Sequence, residues 1–168
     1  MRLHVNDYGS ILGVIPDGQP GIEATLALMS RVVFEYKKNL QINELASDII
    51  RFIPGKSYAQ EARALFEWVR SNIRYQRDIN GVEVIQSPTV TIASQHGDCD
   101  DMSILLAVLL ETAGHPTKFV AAGFGGGDIE HVWVETLIGD RWFAMDPTEQ
   151  QPFGWRPPGI TSRLTVHN

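Results

Sequence analysis

Cysteine is almost absent from this chain: position 99 holds the only one among 168 residues. A single cysteine excludes an internal disulfide and falls short of the two or more that the usual structural zinc patterns demand, so Cys99 is packed, reactive or partnered by another molecule. Long apolar runs are lacking as well. The longest, ILLAVLL at 104 to 110, is far shorter than the roughly 20 residues of a membrane-spanning helix. No Lys/Arg-rich cluster occurs, and a net charge of -6 is the wrong sign for a phosphate backbone, so nucleic acid is not an expected partner. Neutral or basic protein segments fit that charge better. The start, MRLHVNDYGSILGVIPDG, has no charged leader, continuous apolar stretch or small-residue cleavage site, which makes the cytoplasm the expected location.

What is present is a globular composition, 43% hydrophobic and 20% charged, with enough length for one domain and a sizeable core. We read 1–168 as a single domain: an N-terminal arm (1–20), a helical part (21–75), a core (97–148) and an irregular tail (149–168). Apolar residues recur at helical spacing in Ile22, Leu26, Met29, Val33 and Tyr36. A shorter helix follows in NELASDIIRFI, closed by Pro54 and Gly55. SYAQEARALFEWVRSNIRY at 57 to 75 predicts a third helix, with Ser57 and Gln60 in capping-box spacing. RDINGVEVIQSPTVTIASQHG is rich in β-branched residues and predicts a long, partly extended connection. MSILLAVLLETAG, apolar on nearly every side, predicts a buried central helix capped at Gly114. Strands are expected at 117–124, 131–138 and 141–146, the last two joined by a tight turn at Gly139 and Asp140.

Cys99 lies in QHGDCDDMSILL, among Asp98, Asp100 and Asp101. Negative charge opposes thiolate formation, so the acidic company needs a reason. If a helix starts at Cys99, Asp98 is its N-cap and Asp100 and Asp101 sit in the first turn, where carboxylates complement the helix dipole. Successive residues project about 100° apart, so the two acids need not face the sulfur. Cys99 then sits where unpaired N–H groups favour a thiolate or an oxyanion. A calcium or magnesium site on these oxygens lacks a glycine-turned loop with a distal Glu, and His96 with Cys99 offers only two zinc ligands, so no metal is expected. A lone cysteine beside an apolar helix also fits a packed small hydrophobe.

The hairpin brings in a base. With a two-residue turn at Gly139 and Asp140, Asp146 falls opposite Trp133 and His131 opposite Thr148, which places 131, 133, 144 and 146 on one face. His131 and Asp146 are then diagonal neighbours, roughly 7 Å or less apart at Cβ and within reach of an imidazole to carboxylate hydrogen bond. That pairing orients the ring and stabilises its cation, and the cation would supply the positive potential that Cys99 lacks.

These residues resemble the transglutaminase-like superfamily. FEWVRSNIRY, GDCDDMSILLAVLLETAGHPTKFVAAGF and EHVWVETLIGDRWFAMDPT occur in that family's order and spacing over about half of the chain. The resemblance implies a papain-like α+β fold, a catalytic helix packed on an antiparallel sheet, with Cys99 as nucleophile, His131 as base and Asp146 as orienter. GDCDD and GVEVIQSP are most similar to small phage and prophage members, which adds a phage-associated setting to the expected locations. The implied chemistry is acyl transfer or hydrolysis at a Gln side-chain amide or peptide bond of a protein or peptide substrate, through a thioester and without a cofactor. One oxyanion donor is expected to be the Cys99 backbone N–H. Papain-like proteases place a glutamine six residues before the cysteine; that position here is Ala93, which leaves Gln95 and Gln86 as candidates for the second donor. Trp133 and Trp142 are candidate walls of an acyl cleft, with Phe124 and the loop of Gly125 to Gly127 as its lid. The rival is a non-enzymatic protein-binding or phage-assembly module that keeps the fold.

Overall fold

The computed structural model describes residues 10–11, 18–77 and 85–168. In chain order the elements are β1 (Ser10–Ile11), α1 (Gln19–Tyr36), α2 (Leu40–Ile50), α3 (Tyr58–Asn72), β2 (Arg74–Tyr75), β3 (Ile85–Gln86), α4 (Pro88–Ser94), β4 (His96–Gly97), α5 (Cys99–Thr112), β5 (Thr117–Phe124), β6 (Ile129–Ile138), β7 (Arg141–Met145) and β8 (Ile160–His167). Most of the expected N-terminal arm lies outside the described residues, as do 78–84 of the connection before α4.

Helix α5 is central because its sequence is apolar all round: every residue from Met102 to Leu110 is buried. Helices α1, α2, α3 and α4 surround it, and one face of an antiparallel sheet ordered β7-β6-β5-β8 closes the remaining side. Period-two alternation sends Phe119, Ala121, Val132, Val134 and Met145 toward the helices. Val120, Ala122, Trp133 and Ala144 point the other way and form a smaller cluster with Phe124 and Ile160. Each large apolar side chain buried in this way contributes about 1.5–3 kcal/mol. This is the α+β arrangement expected from the sequence. No helix among the described residues is long and apolar enough to cross a membrane.

The β6–β7 hairpin turns at Gly139 and Asp140 with Ile138 opposite Arg141, and Gly139 takes the left-handed φ of 63° that the turn requires. Gly114, with φ 87°, follows the C-cap Ala113 of α5 and releases the chain into β5.

Three expectations need correction. The tail is not irregular: ITSRLTVH forms β8 against β5, and its Pro and Gly residues are confined to the connection before it. That connection runs along β7, where Gly154 N–H donates to Ala144 O, and Arg156 clips it to the sheet through Glu135 Oε1 at 3.1 Å and the Trp142 carbonyl at 3.2 Å. The stretch before the cysteine is not simply extended. Pro88 starts the short helix α4 and Thr91 is buried in it, so packing overrides the β-branched preference of TVTI. Ser57 is the N-cap of α3, but its side chain makes no cap bond; its backbone, at φ −86° and ψ 54°, is outside the extended region that capping uses.

Candidate active site

The first turn of α5 is fixed by two of the three aspartates. Asp98 is the N-cap, its backbone extended, and its Oδ1 accepts from the N–H groups of Asp100 at 2.9 Å and Asp101 at 3.1 Å. Asp101 Oδ2 accepts in return from Asp98 N–H at 3.4 Å, completing a capping box, and a cap of this kind is worth about 1 kcal/mol. The Asp101 carboxylate is buried and also accepts from Gln86, at 2.7 Å from its backbone N–H and 2.8 Å from Nε2. It therefore ties β3 to the start of α5. Gly97 makes room for it: a Cβ at that position would lie 2.6 Å from Asp101 Cβ. The Gln86 amide is thus turned to Asp101 and not to a reacting carbonyl. Gln95 ends α4 in a left-handed conformation, φ 57°, and its carbonyl accepts from Arg74 N–H at 2.9 Å, while its side chain is exposed. Of the two candidate donors, Gln86 is thus engaged by Asp101, and Gln95 keeps an exposed side chain.

Asp100 behaves differently. The partly buried Cys99 thiol donates to Asp100 Oδ1 at 3.7 Å, so this carboxylate does face the sulfur, contrary to the projection expected from helical spacing alone. Burial first, then the charges of Asp100 and Asp98, push the thiol well above its ordinary range; a hydrogen bond from Val132 N–H acts in the opposite direction. That bond also locates the sulfur, against the backbone of the residue after His131. Ser103, four residues beyond Cys99 and so near its face of the helix, docks the same segment through Oγ to Val132 O at 3.3 Å.

His131 and Asp146 meet as the hairpin arithmetic predicts. His131 Nε2 and Asp146 Oδ2 are 2.6 Å apart, the carboxylate buried and the ring 20% exposed. The other carboxylate oxygen, Oδ1, accepts from Thr148 N–H at 3.1 Å and Thr148 Oγ1 at 2.7 Å. With both oxygens accepting, the proton of a neutral ring sits on Nε2 and the lone pair on Nδ1. Burial opposes the charged ring, but the hydrogen bond and charge of Asp146, with Glu149 and Glu130, outweigh it and raise the His131 pKa.

The cleft candidates are placed elsewhere. Trp133 is fully buried with its ring centroid 6.1 Å from that of His131, so it backs the imidazole and does not wall an open cleft. Trp142 lies four residues before Asp146 on the strand, roughly 13 Å along it. Its ring is 4.2 Å from Lys118 Nζ and 5.4 Å from the His167 ring. Phe124 packs on the outer-face cluster, and the glycine turn after it is tied down by Gly127 N–H to Phe124 O and Gly126 N–H to Thr161 Oγ1.

Sequence reasoning missed three contributors. Thr148 was legible as the second residue after an Asp, the spacing of an Asx turn. Ser103 was legible as a polar residue on an otherwise apolar helix. Tyr75 had no local signal. It arrives through a parallel pairing of two-residue strands, β2 with β4, and its phenol shares the electrostatic environment of Cys99, Asp98 and Asp100.

No curated protein matches this chain in sequence. Solved structures do match in fold. A candidate protease from Parabacteroides distasonis superposes with a TM-score of 0.63 at 15% identity, over 77% of this chain and 26% of its own. For a candidate cysteine protease from Cytophaga hutchinsonii the values are 0.59 and 18%, over 83% and 51%. For LapG of Legionella pneumophila they are 0.56 and 14%, over 79% and 80%. The chain thus spans about a quarter and about half of the first two proteins, and at these identities the likeness is one of fold. The model of the Transglutaminase-like superfamily matches residues 43–147, more than half of the sequence and including Cys99, His131 and Asp146, and to that superfamily this chain belongs.

Proposed function

We propose that the domain is a cysteine-dependent hydrolase or acyltransferase that opens a Gln side-chain amide or a peptide bond through a thioester on Cys99. The carrying observation is the 2.6 Å contact of His131 Nε2 with Asp146 Oδ2, next to a helix N-terminal cysteine whose sulfur abuts Val132. As Sγ attacks the carbonyl carbon, His131 Nδ1 takes the thiol proton and the carbonyl π pair moves to oxygen. Collapse of that intermediate expels ammonia or an amine, which leaves with the proton from His131. Water or a second amine then attacks the thioester, with His131 as base again, and the thiol is restored. Because burial, then Asp100 and Asp98, hold the thiol up, Cys99 keeps its proton until attack and gives it to His131 in that step. His131 must be neutral to act, and activity is expected to rise as pH climbs through a value above 6.5. The neighbours named as candidate proteases support water as the acceptor, and hence hydrolysis over crosslinking.

A second reading, a protein-binding or phage-assembly module in a cytoplasmic or phage-associated setting, is favoured by the Asp100 carboxylate beside the sulfur and by the phage-like GDCDD. Gln peptides incubated with and without an amine donor, following ammonia and product mass, separate the two. Enzyme chemistry is expected to give ammonia that disappears in Cys99→Ala and His131→Ala. Absence of ammonia and of any mass change, with an alkylation rate of Cys99 indifferent to His131→Ala, decides for the binding module.

A further inference from the structure

Strand β7 stops short of the catalytic histidine. Its register with β6 begins at Ile138 with Arg141 and ends at Val134 with Met145; carried two residues further, it would set Val132 opposite Pro147. The backbone groups of both strands point in known directions. Ala144 O accepts from Gly154 N–H at 2.9 Å and Trp142 O from Arg156 at 3.2 Å, so these carbonyls face outward and residues 141, 143 and 145 turn toward β6. On β6, Leu137 N–H donates to Pro116 O on the β5 side at 3.0 Å, so Ile138, Thr136, Val134 and Val132 turn toward β7. Val132 is buried, and it presents its N–H and C=O where the neighbouring strand has run out. Pro147, next in register, has no N–H to give.

Helix α5 takes the place of that missing partner. Val132 N–H donates to Cys99 Sγ, and Val132 O accepts from Ser103 Oγ at 3.3 Å. Side chains four apart lie one above the other on a helix, which lets Cys99 and Ser103 meet the two polar groups of one strand residue. Ser103 is fully buried and is the one polar residue in MSILLAVLL, 102 to 110, so its hydroxyl stands in the core at the point where a donor to Val132 O is needed.

We infer that Ser103 is a positioning residue: its hydroxyl pins the Val132 peptide to α5 and thereby holds His131, the preceding residue, in reach of the Cys99 sulfur. The inference rests on the acyl chemistry proposed for Cys99. Acylation by p-nitrophenyl acetate reads it without a known substrate: p-nitrophenolate release gives the rate, and mass gives the acetyl group on Cys99. Ser103→Ala removes only the oxygen and suits a helix interior, so the variant keeps the fold. It is expected to slow acylation by about ten- to a hundredfold, the cost of misplacing a base without removing it. In a His131→Ala background the same substitution is expected to change the residual rate by less than about twofold, because there is no base left to misplace. Slowing by the same factor in both backgrounds overturns the inference, since Ser103 would then act on the sulfur or on the helix alone. A wild-type rate in Ser103→Ala, while Cys99→Ala abolishes acylation, also overturns it and leaves the Cys99 chemistry standing. Wild-type protein that shows no Cys99-dependent acylation overturns the parent proposal and this one with it.

Discussion

Two histidines stand beside carboxylates at opposite ends of α5, and the two contacts have opposite consequences. Near the N-terminal end, His131 Nε2 lies 2.6 Å from Asp146 Oδ2, and the ring titrates above its ordinary value. Past the C-terminal end, His115 Nε2 lies 3.1 Å from Glu61 Oε2 without hydrogen-bond alignment, and the ring titrates below it. Burial is the leading influence on both and disfavours the cation in each. It wins at His115, whose side chain is 4% exposed, over the pull of Glu61 and Glu111; it loses at His131, where an aligned carboxylate is itself held by Thr148. A carboxylate nearby is therefore not enough to make a histidine a working base. Alignment, and support for the carboxylate, decide.

The same difference gives the two rings opposite effects on stability. His131, raised in the fold, adds stability that is full below 6.5 and is lost as pH rises through its folded value. His115, lowered in the fold, costs nothing above 6.5 and costs stability as pH falls toward its folded value.

The sharpest way to break the comparison is Asp146→Asn. It keeps the shape, removes the charge, and is expected to lower Cys99 acylation roughly a thousandfold or more while the His131 titration, followed by NMR, moves down. An unchanged rate and titration would make the aligned pair no different from its counterpart. Asp100→Asn has a smaller expected effect of opposite sign on the thiol. Removing the charge at 3.7 Å lowers the Cys99 pKa, and alkylation at pH 8 is expected to rise about tenfold for each unit of that fall. A rate that does not rise would mean that burial and Asp98 hold the thiol up without Asp100. The smallest effect belongs to Glu61→Gln. Acylation is expected to stay within about twofold, since the two sites lie at opposite ends of α5, while His115 titrates lower still. A loss of activity like that of Asp146→Asn would join the two ends into one site.

How much of this was legible follows from the range of each interaction. The His131 and Asp146 pair could be read because a two-residue turn and a period of two are local rules that carry register from Gly139 outward. The N-cap at Asp98 could be read because capping acts within one turn. Asp100 could not, since a 100° step constrains where the side chain leaves the helix but not how its rotamer returns. The tie of Gln86 to Asp101 could not be read either, because it is made through a β3 to α5 contact that no spacing encodes. Tyr75 was overlooked for a related reason, because a parallel pair of two-residue strands leaves no periodic trace. At β8 the alternation of ITSRLTVH was present, but the preceding PFGWRPPG obscured it.

Strand β8 also bears on the order in which the chain assembles. Strands β5, β6 and β7 follow one another through short turns, so their ladders close small loops, whereas Lys118 must find His167 across the whole hairpin and the connection that Arg156 clips down. Closing the longer loop costs more chain entropy before any contact repays it. The meander and α5, which between them carry Cys99, His131 and the approach to Asp146, can therefore form ahead of β8, which then extends the sheet at the β5 edge, away from those residues.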